Sequence, residues 1–206
     1  MKCALSICMT GLLVFLASAD VPTGGRQSPL DPGLSAIGRL RARPASETGR
    51  SNWTIGCEVL VRDFADFWQY CDYIEPLGIK TVRLQAGWAK CEPKPGEFNF
   101  GWLDRIIDYL KGKGLDVILE TSYGNPIYEG AGSWDLSGGI PTTDEGLRHW
   151  DEWIEVLSKH FADRVDYWAM WNEPDNNRKV NTPARVAAFN LRTARIIRRN
   201  CPPRFA

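Results

Sequence analysis

The 206-residue chain lacks most of what cofactor and nucleic-acid chemistry requires. Its 25 Lys and Arg are balanced by 25 Asp and Glu. No field of one sign draws it to nucleic acid or to an anionic membrane surface, so neither is expected as a partner. It has only two histidines, His149 and His160, both inside one predicted helix, and no CxxC pair. A zinc site is therefore not expected. No GxGxxG or Walker-type loop follows any apolar run, which argues against dinucleotide and nucleotide binding. No cofactor is implied. What the chain has in excess is tryptophan, nine in all. Such residues serve either as ordinary core or as flat faces on which a pyranose ring packs.

The first residues, MKCALSICMTGLLVFLASAD, combine a lysine, an apolar stretch and Ala17-Ser18-Ala19. That order predicts a secretory signal over residues 1–19, cleaved after Ala19, and hence a secreted, extracellular or periplasmic protein. The apolar run is short for a membrane span, although an uncleaved anchor is the alternative. Cys57, Cys71, Cys91 and Cys201 then remain in an oxidising compartment, and their even number allows one or two disulfides in three full pairings. Asn52-Trp53-Thr54 fits an N-glycosylation acceptor. Residues 20–50 are rich in Pro, Gly, Ser and Arg without apolar period and read as a disordered linker.

From Trp53 onward, strand-like and helix-like patterns alternate. WTIGCEVLV is a β-type run, followed by Phe64, Phe67, Trp68 and Cys71 at the spacing of one helix face. KTVRLQA reads as a second strand, and Leu103, Ile106, Ile107 and Leu110 as a second helical stripe. LDVILET is a third strand. A third helix carries Trp150, Trp153, Ile154, Leu157 and Phe161, with Thr142 and Glu145 spaced as a capping box. VDYWAMW is a fourth strand, followed by a helix opened by Thr182 and Pro183. Four βα units in succession predict a parallel sheet with helices outside. A doubly wound sheet shares this alternation. The links from helix to strand are short, whereas residues 87–101 and about 122–141 form long links from strand to helix. Long loops on one face are how a (β/α)8 TIM barrel builds its site, at the C-terminal ends of its strands. A full barrel needs about 250 residues. Residues 51–206 hold four units and are expected to be an N-terminal half, whose open barrel edges invite association.

The fourth strand runs into Asn172-Glu173-Pro174. A carboxyl at a barrel rim can be desolvated, hold a proton near neutral pH and donate it to a leaving oxygen. Proline is expected to keep Glu173 extended, so that Tyr167, Ala169, Trp171 and Glu173 share one side, with Ala169 as the small inward residue. The plainer reading makes Glu173 a solvated loop carboxylate. Glu120, also at a strand end, competes for the acid role but lacks the Asn and Pro flanks.

On these residues the chain resembles the clan A glycoside hydrolases, retaining enzymes built on a (β/α)8 barrel. WNEP after a fourth strand looks like their acid/base signature. TVRLQAGWAKCEPKPGEFNFGWLDRIIDYLKGKGLDVILET is similar to the second and third units of the β-galactosidase-like members. The resemblance covers roughly residues 53–175 and implies a glycosidase acting on a carbohydrate substrate. It gives Glu173 the role of general acid/base and Asn172 that of a ligand to the sugar 2-hydroxyl. Arg83 matches an arginine that keeps the nucleophile ionised; an ordinary strand-end ion pair is the alternative. Trp88, Tyr123 and Trp171 are candidate substrate contacts, with core or loop packing the alternative for Trp88 and Tyr123. The clan's nucleophile is a glutamate on a seventh strand, and these four units carry none. A non-catalytic carbohydrate-binding relic is therefore the competing expectation.

Overall fold

The computed structural model describes residues 41–133 and 139–201. The predicted signal segment, with Cys3 and Cys8, and residues 20–40 of the predicted linker lie outside them. The fold is that of the unit Arg43–Ala206. Among the described residues a sheet of four parallel strands forms: β1 (Thr54–Cys57), β2 (Thr81–Gln85), β3 (Asp116–Glu120) and β4 (Tyr167–Ala169). Spatial order follows chain order. Helix α1 (Gly101–Gly112) connects β2 to β3, α2 (Asp144–His160) connects β3 to β4, and α3 (Pro183–Asn200) follows β4. This is a run of βα units of barrel type, as the alternation predicts.

Register divides the sheet into two faces. Val82 pairs with Val117 and Leu84 with Leu119, and all four are fully buried beneath the helices. Their covering side chains are the predicted stripes. Leu103, Ile106, Ile107 and Leu110 of α1 are buried, as are Trp150, Trp153, Ile154 and Leu157 of α2. Each such aliphatic side chain contributes about 1.5–3 kcal/mol when removed from water. Because side chains alternate along a strand, the opposite face receives Gly56, Arg83, Gln85, Ile118, Glu120, Tyr167 and Ala169, which are register neighbours across the four strands. That face carries the polar chemistry.

Three local expectations are corrected. The stripe from Phe64 to Cys71 is not an α-helix. It folds as successive 3₁₀ turns at Leu60–Arg62, Phe67–Gln69 and Cys71–Tyr73. Asp66 is the reason: its carboxylate accepts from Trp68 N at 3.1 Å, closing a local turn instead of extending a helix. Phe67 and Cys71 still face the core, whereas Phe64 is 74% exposed. The cap of α2 is Thr143, not Thr142; its hydroxyl accepts from Gly146 N at 2.9 Å. The disulfides that the cysteine count allowed do not link Cys57, Cys71 and Cys91 to one another. Cys57, Cys71 and Cys91 are free thiols held at separate core positions.

The last part of the stretch read as a linker is packed. Arg43 bridges to Leu77, and Ala45 and Thr48 are buried. No described helix is long and apolar enough to cross a membrane.

Candidate active site

The strands deliver their functional side chains at their C-terminal ends. Arg83 leaves the middle of β2 on the polar face, Gln85 ends β2, and Glu120 ends β3 directly opposite Gln85. Glu58 follows β1 by one residue and Asn172 follows β4 by three. Backbone bonds carry the ladder past the strand ends: Ala86 N donates to Glu120 O at 2.8 Å, and Thr121 N to Ala169 O at 3.0 Å. The loops therefore start from fixed positions.

Arg83 is the centre of the arrangement. Its guanidinium pairs with Glu58 through one terminal nitrogen and with Glu120 through the other. The second nitrogen also donates to Asn172 Oδ1 at 2.8 Å. Glu120 is completely buried and receives further bonds from Ser122 Oγ and Gln85 Nε2. A buried carboxylate persists only with such compensation. Both Glu120 oxygens are engaged within the protein.

The bond from Arg83 settles the orientation of the Asn172 amide. Its oxygen faces a cation, so its nitrogen faces away, and Nδ2 donates to Tyr123 Oη at 2.6 Å. One Nδ2 hydrogen and the phenolic hydrogen of Tyr123 are left as donors, side by side. Two such donors suit a pair of sugar hydroxyls. Trp171 meets Tyr123 edge to face at 6.1 Å between centroids and packs on Trp150 and Phe189. It is half-buried, anchoring the loop after β4 to α2 and α3.

Glu173 departs from expectation. β4 ends at Ala169, so the regular alternation to Glu173 is broken. Glu173 has φ 43° and ψ 56°, a left-handed conformation and not the extended one expected before proline. The chain turns here into a 3₁₀ turn at Pro174–Asn177, closed by Asn176 N to Glu173 O at 3.0 Å. The Glu173 side chain is exposed and accepts from Asn176 Nδ2 at 2.8 Å. The desolvation expected of it is absent among the described residues. Val59, Asp63 and Glu173 are the non-glycine residues with positive φ among those described, and all three lie on loops after strand ends. Left-handed backbone at such positions costs about 1–3 kcal/mol each and gathers at functional rims.

Trp88 takes the core position that the sequence reading held as the alternative to a substrate contact. It is fully buried, stacked on Trp153 and Tyr128, with Nε1 donating to Glu92. Among the described residues it packs as core. Glu92 is itself buried and also accepts from Gly96 N and Tyr128 Oη, which ties the long loop after β2 to the loop after β3. Sequence reasoning missed Glu58, Gln85, Ser122 and Glu92. Gln85 was open to it, since it stands near the end of a predicted strand, whereas Glu58 lay inside the predicted run WTIGCEVLV. No described group of His, Cys, Asp and Glu side chains is arranged to hold a metal ion.

Comparison with known proteins agrees with this architecture. A family model described as Beta-galactosidase (Glyco_hydro_42) matches residues 66–128. The chain is 32% identical over 112 residues to Beta-glucosidase 47 of Arabidopsis thaliana, covering 50% of this chain and 20% of that protein. It is 27% identical over 169 residues to a 1,4-beta-D-glucan glucohydrolase of Thermotoga neapolitana, covering 80% of this chain and 37% of that protein. A family 39 glycoside hydrolase from Bacteroides cellulosilyticus WH2 superposes with a TM-score of 0.54 at 20% identity, over 78% of this chain and 30% of that one. The last match bears on fold alone. Together, the family model and the glycosidase relatives establish the resemblance to clan A glycoside hydrolases over part of the chain. The chain spans 8–37% of the length of the first curated relatives it matches.

Proposed function

We propose that this chain is the acid/base-bearing part of a secreted retaining glycoside hydrolase that cleaves O-glycosidic bonds in poly- or oligosaccharides. The observation that carries the proposal is the bond from Arg83 to Asn172. It fixes a donor pair, Asn172 Nδ2 on the loop that also carries Glu173 and Tyr123 Oη on the loop after β3. In this reading Asn172 and Tyr123 hold sugar hydroxyls, while Glu173 protonates the glycosidic oxygen and later activates water. A retaining reaction needs a second carboxyl about 5–5.5 Å from the first. Glu120 and Glu58 are both committed to Arg83, so that partner is expected from further barrel strands, docked against the outer strands β1 and β4.

The exposure of Glu173 favours a second reading, carbohydrate binding without turnover. One experiment separates the two. In the complete protein, Glu173→Gln is expected to cut turnover heavily on glycosides with poor leaving groups and far less on activated nitrophenyl glycosides, whose leaving groups need little protonation. Equal losses on both substrates would remove Glu173 from the acid role. Sugar binding by the wild-type protein without cleavage of either substrate would establish the second reading.

A further inference from the structure

The turn after β1 holds a cation with no carboxylate paired to it among the described residues. Arg62 has no side-chain hydrogen bond or ion pair among the described residues, and its Nε is buried without a partner. The neighbouring carboxylates are already committed: Glu58 to Arg83, Asp63 to Lys90, and Asp66 to Trp68 N. The guanidinium lies instead between two rings, 5.0 Å from the Phe64 centroid and 5.9 Å from that of Tyr123. Tyr123 is the residue bonded to Asn172. Arg62 therefore neighbours the same donor cluster through the Tyr123 ring.

The turn is also held in place against its own preferences. Val59 and Asp63, which flank it, have φ of 60° and 56°. A β-branched residue in that region is strained. Val59 N is bonded to Gln85 Oε1 at 3.2 Å, and Lys90 Nζ donates to Leu60 O at 2.8 Å. Val61 sits so close to Gly87 that a Cβ there would lie 2.7 Å from the valine Cβ. A solvated surface arginine needs no such support. A charged donor left buried and unpaired is costly, and here that donor is the Nε of a partly exposed guanidinium.

We infer that Arg62 reads an acidic group on the saccharide, a carboxylate, sulfate or phosphate, making this a site for anionic rather than neutral glycosides. The planar fork suits two oxygens of such a group, and the flanking rings pack on the sugar's apolar edge. The inference rests on the glycosidase reading for its substrate but not for its anion. The complete protein is assayed with nitrophenyl β-glucoside, β-glucuronide, glucoside 6-phosphate and glucoside 6-sulfate, and titrated calorimetrically with methyl β-glucoside and methyl β-glucuronide, glucoside 6-phosphate and glucoside 6-sulfate. One anionic class is expected to exceed the neutral sugar in kcat/KM. Arg62→Gln should lower that ratio about tenfold or more, Arg62→Lys by less, and added salt should shrink it. Far-UV circular dichroism verifies that the variants fold, and the lysine variant serves if the glutamine one does not. Turnover of neutral sugars with no anionic preference would overturn the inference while leaving the glycosidase reading intact. Anion-dependent binding lost in the Arg62 variants, without turnover, would sustain it while the glycosidase reading fell. A protein that neither binds nor cleaves any of these would end both.

Discussion

Arg83 Nη2 donates to Asn172 Oδ1 at 2.8 Å while the same guanidinium pairs with the buried Glu120. One side chain on β2 thus compensates an interior charge and aims an amide on the loop after β4. Both jobs need the planar fork, because a lysine ammonium is a point charge on a flexible stem. Arg83→Met should therefore be costly. It leaves Glu120 buried without its cation, with only the Ser122 and Gln85 bonds remaining, at about 3–5 kcal/mol. Adding Glu120→Gln should restore most of that loss, since an amide is far cheaper to bury than a lone carboxylate. Urea unfolding of wild type, both single variants and the double variant closes the cycle. Strictly additive losses would show that the two residues do not act as a pair.

Fold was more legible than site, and the residues show why. Stripes such as Leu103–Ile106–Ile107–Leu110 and the run VILE on β3 announce themselves because burial imposes period 3.6 or 2. The polar face was half visible. Glu120 and Asn172 stood at or just past strand ends and Arg83 within a predicted strand, but their mutual bonds span up to 89 positions of chain, and no local pattern encodes them. The aromatic stripe after β1 misled because its spacing fits a helix, while Asp66 draws the backbone into a separate turn. Glu173 misled for a related reason. Its neighbour Pro174 disfavours a helical residue before it, yet bonds from Asn176 hold Glu173 in a left-handed turn.

Trp88 provides a sharp test of core against cleft. Its indole is fully buried among Trp153, Trp150 and Tyr128, with its N–H on Glu92. Trp88→Ala should destabilise by about 3–5 kcal/mol through the cavity it leaves. Trp88→Phe should cost less, because only part of the volume and one of the bonds to Glu92 are lost. Thermal melts should show this order, and saccharide titration of Trp88→Phe should give wild-type affinity. A variant of normal stability with weakened sugar binding would return Trp88 to the cleft.

The cysteines should behave as inert core. Burial pushes the Cys57 thiol up to about 11 and the Cys91 thiol up to about 12, although a hydrogen bond to each works the other way. At pH 8 neither forms appreciable thiolate, the reactive species. Iodoacetamide should therefore leave Cys57 and Cys91 unmodified in the native protein and alkylate both in denaturant. Mass spectrometry of peptides after each treatment checks this. Recovery of either residue as a disulfide from non-reduced native protein would contradict the free thiols of the fold.

Glu155 on α2 sets an acid limit on the packing of α2 against α3. Hydrogen bonds from Lys159 and Asn200 draw its carboxyl down to about 2, with a lesser contribution from Arg199, against an opposing effect of burial. Arg199 and Asn200 lie on α3, so these bonds cross between the helices. A carboxylate with a depressed folded pKa adds stability that is complete above its unfolded value near 4.5. That stability fades as pH falls toward about 2. Because the pairs are largely exposed, the contribution is expected to be no more than about 1 kcal/mol. Glu155→Gln should lower the melting temperature at pH 7 and converge on wild type as pH falls through that window. A gap that stays constant to pH 2 would mean that Glu155 stabilises by packing and not by charge.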